Sequence, residues 1–389
     1  MQNNVIALNF KEDYFVPMPI EKLQTDPDKL VPFGDENLFP QNLLELTEGT
    51  SLVASIIDKI TKYVYGEGVN DEYKDIIVDD KGTTFPELVY GVINDYITFG
   101  AFALQVRRNK YKEIKKIDRL RTERIRTNED NTKFWYSRKW AKYTKTDLVY
   151  DAYAGVEAKE QSDSIYYFKN PSGRHIYGYA PYWSSLDDIV TCKALSEYGT
   201  NTINNCFAPS AIITLCEGKP ASEDELKKVE KDLNSKFAGT KNNAKLMVMF
   251  ADSKDTAPEV TSFTAADINA HYLSLKETVR ENILAAFSVD GVLIGLHTND
   301  GVFSQEAFEQ SFKIFNKTEI QPIQQQIIKA FKKLGYDIKF KPFKIDWEND
   351  FVTPATVAEE GEESEEGEGA EGKGTSVISE CGGAGQGAG

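Results

Sequence analysis

Residues 184–207 read SSLDDIVTCKALSEYGTNTINNCF, and residues 265–287 read AADINAHYLSLKETVRENILAAF. In the first stretch Leu186, Ile189, Val190, Ala194, Tyr198, Ile203, Cys206 and Phe207 recur at helical spacing. In the second, Ile268, Tyr272, Leu275, Val279, Ile283 and Phe287 advance in steps of three and four. Each stretch spells one long helix with a single apolar stripe. Ser184 or Ser185, followed by Asp187 and Asp188, reads as a capped acidic first turn, and Pro209 stops the helix. The chain between the two helices is a unit of its own. Residues 211–215 (AIITL) read as a strand, Ser222 and Glu225 form a capping box that opens a helix to about residue 237, and 245–250 (KLMVMF) read as a second strand. Residues 259–263 are a possible third strand. Two long helices thus bracket a small α/β module and have enough chain between them to lie antiparallel, like a stalk carrying a head.

Outward from this core, the N-terminal third is α+β. Residues 50–65 carry Leu52, Val53, Ile56, Ile57, Ile60 and Val64 on one helical face that Gly66 ends. Residues 85–99 form a second helix with Pro86 in its first turn, where a missing N–H is harmless. FALQVR, TKFWYSRKW and SIYYFK then shorten the period to that of strands. On the C-terminal side, Gly-rich 288–303 read as a loop. Residues 304–334 are helical with a kink expected at Pro322 and a cap at Gly335. IKFKPFKIDW (338–347) alternates with period two, and Pro342 makes it an edge strand or bulge.

The chain has 389 residues, 61 Asp+Glu and 45 Lys+Arg, a formal charge of −16. That balance argues against tight clamping of nucleic acid, which needs net cationic charge to release counterions. The charge is uneven. Residues 359–389 hold nine Glu and one Lys in a Gly/Glu/Ser-rich stretch too poor in apolar groups to offset its ordering entropy, which predicts disorder. Residues 107–145 hold fifteen Lys/Arg against five acids, interleaved with Tyr111, Phe134, Trp135, Tyr136, Trp140 and Tyr143. Such a band can stack on and neutralise nucleic acid. It reads equally as a β-meander with one solvated face, and the turn signal Asn128-Glu129-Asp130-Asn131 favours the meander. A third reading packs the band, with Arg107, Arg108, Lys115, Lys116, Arg119, Arg121, Arg124 and Arg126, against an acidic surface of a neighbouring copy.

Catalytic signals are sparse. His175, His271 and His297 have no paired-ligand spacing, and Cys192, Cys206, Cys216 and Cys381 have no CxxC spacing. No dinucleotide fingerprint, phosphate loop or GxSxG elbow is present. The sequence therefore predicts neither an enzyme nor a cofactor. It predicts no membrane span and no signal peptide, hence reduced thiols in a cytosolic protein. Between Arg280 and Lys313 there is no Lys or Arg but there are five acids. This is an ordinary solvated loop, or a segment past which a polyanion slides without sticking.

The run His175-Ile176-Tyr177-Gly178-Tyr179-Ala180-Pro181, leading into the helix ending EYGTNTINNCFAPSAIITL, resembles the portal (head–tail connector) proteins of tailed bacteriophages, of the siphovirus type. The resemblance continues through SEDELKKVEKDLNSKFAGTKNNAKLMVMF and LKETVRENILAAFSVDGVLIGL, and covers about 50–334. Val289-Asp290-Gly291 replaces the Val-Pro-Pro usual in that family, which leaves the conformation of the loop open. The resemblance implies a wing (1–183), a first stem helix (184–207), a clip (208–263), a second stem helix (264–287), a tunnel loop (288–303), a wing helix with a C-terminal strand (304–354) and an acidic tail (355–389) without a sizeable crown. It implies a homo-oligomeric ring, usually of twelve subunits, at one capsid vertex of the virion, assembled in the host cytoplasm. Its implied partners are the terminase large subunit, major capsid and scaffolding proteins, head-completion and tail adaptor proteins, and the double-stranded DNA that passes during packaging and ejection. The stem would pack through Leu186, Ile189, Val190, Tyr198, Ile268, Tyr272, Leu275 and Val279. Val292, Leu293, His297, Asn299 and Asp300 would line the constriction. The alternative is a nucleic-acid-binding module, not a portal, that uses the basic band of 107–145.

Overall fold

The computed structural model describes residues 15–111, 113–140, 148–158, 163–171, 174–204, 211–215, 246–250, 265–296 and 305–345. It divides into a unit spanning Met1–Phe343 and a second, Lys344–Gly389, of which only the first two residues are described. The fold is α+β. Three helices lead the chain: α1 (Phe39–Gly49), α2 (Ser51–Tyr65) and α3 (Phe85–Phe99). Helix α2 buries Val53, Ile56, Ile57, Ile60 and Val64 along the stripe expected of it, and Gly66 closes it at a positive φ. Helix α3 starts with a capping box. The Thr84 hydroxyl accepts from the Glu87 amide, and the Glu87 carboxylate accepts from the Thr84 amide at 2.7 Å. Gly100 ends α3 in the left-handed region. A Cβ there would stand 2.3 Å from the carbonyl carbon of Tyr179, so only glycine fits.

Six strands follow in one sheet: β1 (Ala101–Arg108), β2 (Ile114–Leu120), β3 (Ile125–Thr127), β4 (Lys133–Tyr136), β5 (Leu148–Ala152) and β6 (Asp163–Lys169). Their spatial order is β2-β1-β6-β5-β4-β3, antiparallel except for the parallel β5–β6 pair. The Asn128–Asn131 turn expected from sequence joins β3 to β4. Asn131 takes a positive φ there, and the Asn128 side chain accepts from the Thr132 and Lys133 amides. Strand β1 is almost wholly buried because α3 packs on one face and Ile125, Phe134 and Ile165 share the other with Ala103.

A 3-10 turn (Pro181–Ser185) leads into α4 (Leu186–Asn204). The serines do not cap this helix. Their hydroxyls donate back to the Pro181 and Tyr182 carbonyls inside the turn, at 3.0 Å each. Strands β7 (Ala211–Leu215) and β8 (Leu246–Phe250) pair in parallel, as a small α/β unit requires. The capping box at Ser222, its helix and the possible strand at 259–263 lie outside the described residues, as does the acidic tail. Helix α5 (Ala265–Ala286) is the second long helix of the opening pair. Then come a short 3-10 turn (Gly291–Ile294), α6 (Gln305–Phe315), a π-helical turn (Asn316–Ile320) and α7 (Gln321–Lys333). The break expected at Pro322 therefore takes another form. The proline sits in the first turn of α7, and the turn before it widens to π spacing, which moves the carbonyl that its ring would strike. Gly335 closes α7 as expected, with φ +90. Residues 338–343 do not form a regular strand. They make one bridge, Val69↔Phe340, flanked by backbone bonds to Gly68 and Asn70, because Pro342 has no N–H to extend a ladder.

Candidate functional site

The long helices α4 and α5 lie side by side in antiparallel fashion. Asn282 of α5 donates to the Asp188 carboxylate at 3.1 Å near one end. Towards the other end the Tyr272 hydroxyl donates to the Leu195 carbonyl at 3.0 Å, and the Tyr198 and Tyr272 rings meet at 5.6 Å. Gly199 lets them close up: a Cβ there would touch the Tyr272 hydroxyl at 3.0 Å. Neither Gly199 nor Asn282 lies on an apolar stripe, so periodicity does not single them out, although Gly199 follows Tyr198 directly in the helix.

Burial falls steadily along the pair. At the root Leu186, Ile189, Val190, Val279 and Ile283 are buried, and Tyr182 stacks on Phe287 at 4.4 Å. Tyr182 and Trp183 both donate to the Thr98 carbonyl at the end of α3, which fixes the root to the body. Further out, Tyr198 is 49% exposed and Leu273 57% exposed. Leu275 is exposed too. The side chain of Ile268 lies outside the described residues. The apolar stripe thus continues beyond the point where the described residues cover it.

The loop after α5 is anchored where it can be described. Asp290 caps its 3-10 turn by accepting from the Val292 amide, and it also accepts from the Ser311 hydroxyl at 2.7 Å. Val292 is half-buried. Leu293 is a core residue, not a channel-lining one. Its side chain is buried, and its carbonyl accepts from the Tyr63 hydroxyl at 2.6 Å. Tyr63 lies in α2, so an apolar side chain gains more by joining that core than by facing solvent. His297, Asn299 and Asp300 lie outside the described residues.

Part of the basic band is paired with acids of the same chain. Arg107 pairs with Asp118 and, at 3.4 Å, with Asp80; Lys116 also pairs with Asp80. Arg119 grips the buried Asp95 carboxylate with two bonds of 2.7 and 2.8 Å. Burial pushes the Asp95 carboxyl up, and the hydrogen bonds that Arg119 donates to Asp95 hold the guanidinium up in turn; the ion pair is the form in which these donors and acceptors all match. Arg121 and Arg124 lie 4.0 and 3.5 Å from Glu123. Arg108 donates to the Gly155 carbonyl and lies over the Tyr153 ring. Lys115 is exposed. Arg126 departs from the expected surface band altogether, being wholly buried. Sequence alone cannot place it, because a short strand between two turns gives too few positions to assign faces.

The family model described as "Phage portal protein" matches residues 80–364. The chain belongs to the phage portal protein family. A search of curated proteins finds no match. Among solved structures, portal-family architecture is matched by a chain titled "Virion of native gene transfer agent (GTA) particle", at 17% identity and TM-score 0.52 over 83% of this chain and 87% of that one. A chain titled "Neck of native GTA particle computed with C12 symmetry" gives 17% identity and TM-score 0.51 over 82% and 86%. At these identities the likeness is one of fold. In this portal-family chain no helix among the described residues is long and apolar enough to cross a membrane.

Proposed function

We propose that this chain is the repeating subunit of a portal ring at one capsid vertex, through which DNA is packaged and ejected. The observation that carries the reading is the antiparallel α4–α5 pair, buried at its root and apolar but uncovered further out. A stripe that the described residues leave uncovered is completed when neighbouring copies stand beside it. Family membership and a fold shared with a particle neck computed with C12 symmetry support twelve copies. In this reading 1–183 are the wing, α4 and α5 the stem, 208–263 the clip that receives the terminase and later the adaptor proteins, and 288–303 the tunnel loop with His297, Asn299 and Asp300 toward the channel. The absence of Lys and Arg between Arg280 and Lys313 suits a wall past which DNA slides. The work is positional and electrostatic, without covalent chemistry. Light scattering and electron microscopy of the purified chain test it. Rings of one stoichiometry with a central channel are expected; a monomer at micromolar concentration overturns it.

A further inference from the structure

A cavity of about 380 Å³ lies where the root of the long helix pair meets the body. Its apolar walls come from distant parts of the chain: Tyr96 in α3, Pro181 and Tyr182 in the 3-10 turn, Phe287 after α5, and Phe315 at the end of α6. Glu319, on the π-helical turn, also lines it. Small-molecule sites hold roughly 300–1,000 Å³, mostly apolar with a few placed polar groups, and π-helical turns recur at functional sites.

Two polar groups of this wall have no match in the fold. Glu319 makes no hydrogen bond or ion pair among the described residues, and burial pushes its carboxyl up from the ordinary 4.5. Tyr96 is only 7% exposed, yet its hydroxyl makes no hydrogen bond among the described residues either. Burial pushes that phenol up to about 12. The neighbouring Tyr182 hydroxyl differs, because it is spent on the Thr98 carbonyl at 2.7 Å. Polar groups withdrawn from water are nearly always paired, so two orphans in one cavity point to an absent partner.

Charge narrows the class of that partner. Glu319 is the one acid among the described lining residues, and no described Lys, Arg or His lines the cavity. An anion is repelled there and a cation attracted. A bare calcium or magnesium ion would need about six oxygen ligands, which apolar walls do not supply. An ammonium group on an apolar stem fits better. Its N–H groups can donate to a carboxylate and a phenol oxygen, while its stem and charge lie against aromatic faces.

We propose that this cavity binds a small primary amine in its ammonium form, with Glu319 as the counter-charge and Tyr96 as a second acceptor. Every group belongs to one chain, so the site goes beyond the ring reading and does not depend on it. An occupant touches α3, the root of the long pair and the π turn together, and so stabilises that junction by mass action.

The probes are 2-phenylethylamine and its neutral isostere 2-phenylethanol, each titrated into the purified full chain by calorimetry at neutral pH. The amine should bind more tightly than the alcohol by about tenfold, and it alone should raise the melting temperature. Glu319→Gln should remove that preference, and Tyr96→Phe should weaken the amine selectively, by about threefold. Both substitutions keep the size of the side chain, and melting curves without probe check that the variants fold. Equal binding of the two probes, binding of neither, or an unchanged preference in Glu319→Gln overturns the proposal. Binding to the unassembled chain that disappears in rings also overturns it, because the cavity would then belong to a side chain of a neighbouring copy. Selective amine binding by a chain that stays monomeric overturns the ring reading and leaves this site standing.

Discussion

Arg126 is a cation with no acidic partner among the described residues. Its five donor contacts go to neutral oxygens: the Asn37 side chain and carbonyl at 2.6 Å each, Gln41 at 3.1 Å, and the Ile125 and Glu123 carbonyls at 2.7 and 3.1 Å. Its guanidinium lies 4.8 Å from the Trp140 ring. Burial pushes it down to about 10, so it stays charged at neutral pH. It ties the start of α1 to the far edge of the sheet. Arg126→Met should cost about 3 kcal/mol in urea denaturation, because five donor contacts are lost at once, including those to the half-buried Asn37 and Gln41 oxygens. Glu319 is the opposite case, an acid raised by burial above its ordinary 4.5. Below that value both folded and unfolded chains carry the proton, and the carboxyl costs nothing. As pH rises toward the folded value the unfolded chain ionises first, so stability falls. Melting curves of the unassembled chain from pH 4 to 7 should show that loss in the wild type and a flatter profile in Glu319→Gln.

At the scale of elements, the α4–α5 pair has two parts with different energetics. Its root is packed into the body and its outer half is not. Truncating Ile283 or Ile189 to Ala should therefore cost about 2–4 kcal/mol in the unassembled chain. Leu275→Ala should stay within about 0.5 kcal/mol, because that stripe residue is exposed. Chemical denaturation of the monomeric chain separates the two, and equal costs at both ends would mean that this chain covers its own stripe. The helices themselves were legible in sequence, since a period of 3.6 survives without tertiary help. The root-to-tip gradient was not. Leu275 and Ile283 look alike in the stripe, and only the body beneath one end distinguishes them. The same limit applies to Leu293, whose apolar run reads as loop until Tyr63 is found beside it.

For the whole molecule, the basic band becomes a question of pairing. Sequence showed fifteen cations in 107–145 and left nucleic acid, a solvated face and a neighbouring copy all open. The fold brings Asp80, Asp95, Asp118 and Glu123 to most of those named in the band, and Arg126 goes inside. An unassembled chain with such internal pairing should bind duplex DNA weakly, with no more than a shallow dependence of affinity on salt between 50 and 200 mM. Fluorescence anisotropy at both salts measures it. A steep slope, equivalent to six or more phosphate contacts, would bring back the nucleic-acid-binding alternative.

Sequence by itself showed the order and type of most major elements: two of the three leading helices, a run of strands, a long helix, a small module opening and closing on strands, its returning partner helix and a closing helical stretch; it did not show α1 or the parallel β5–β6 pairing. The elements it showed follow from local periodicity and from turn residues such as Gly66, Asn128 and Gly335, which act within a few positions of themselves. It also carried the family resemblance. Tertiary structure alone decided which charges are paired, which end of the long helices is covered, that the Pro322 interruption is a π turn, and that 338–343 bridge to Val69 without forming a strand. Those outcomes depend on groups far apart in the chain, whose burial and counter-charges exist only once the fold has brought them together.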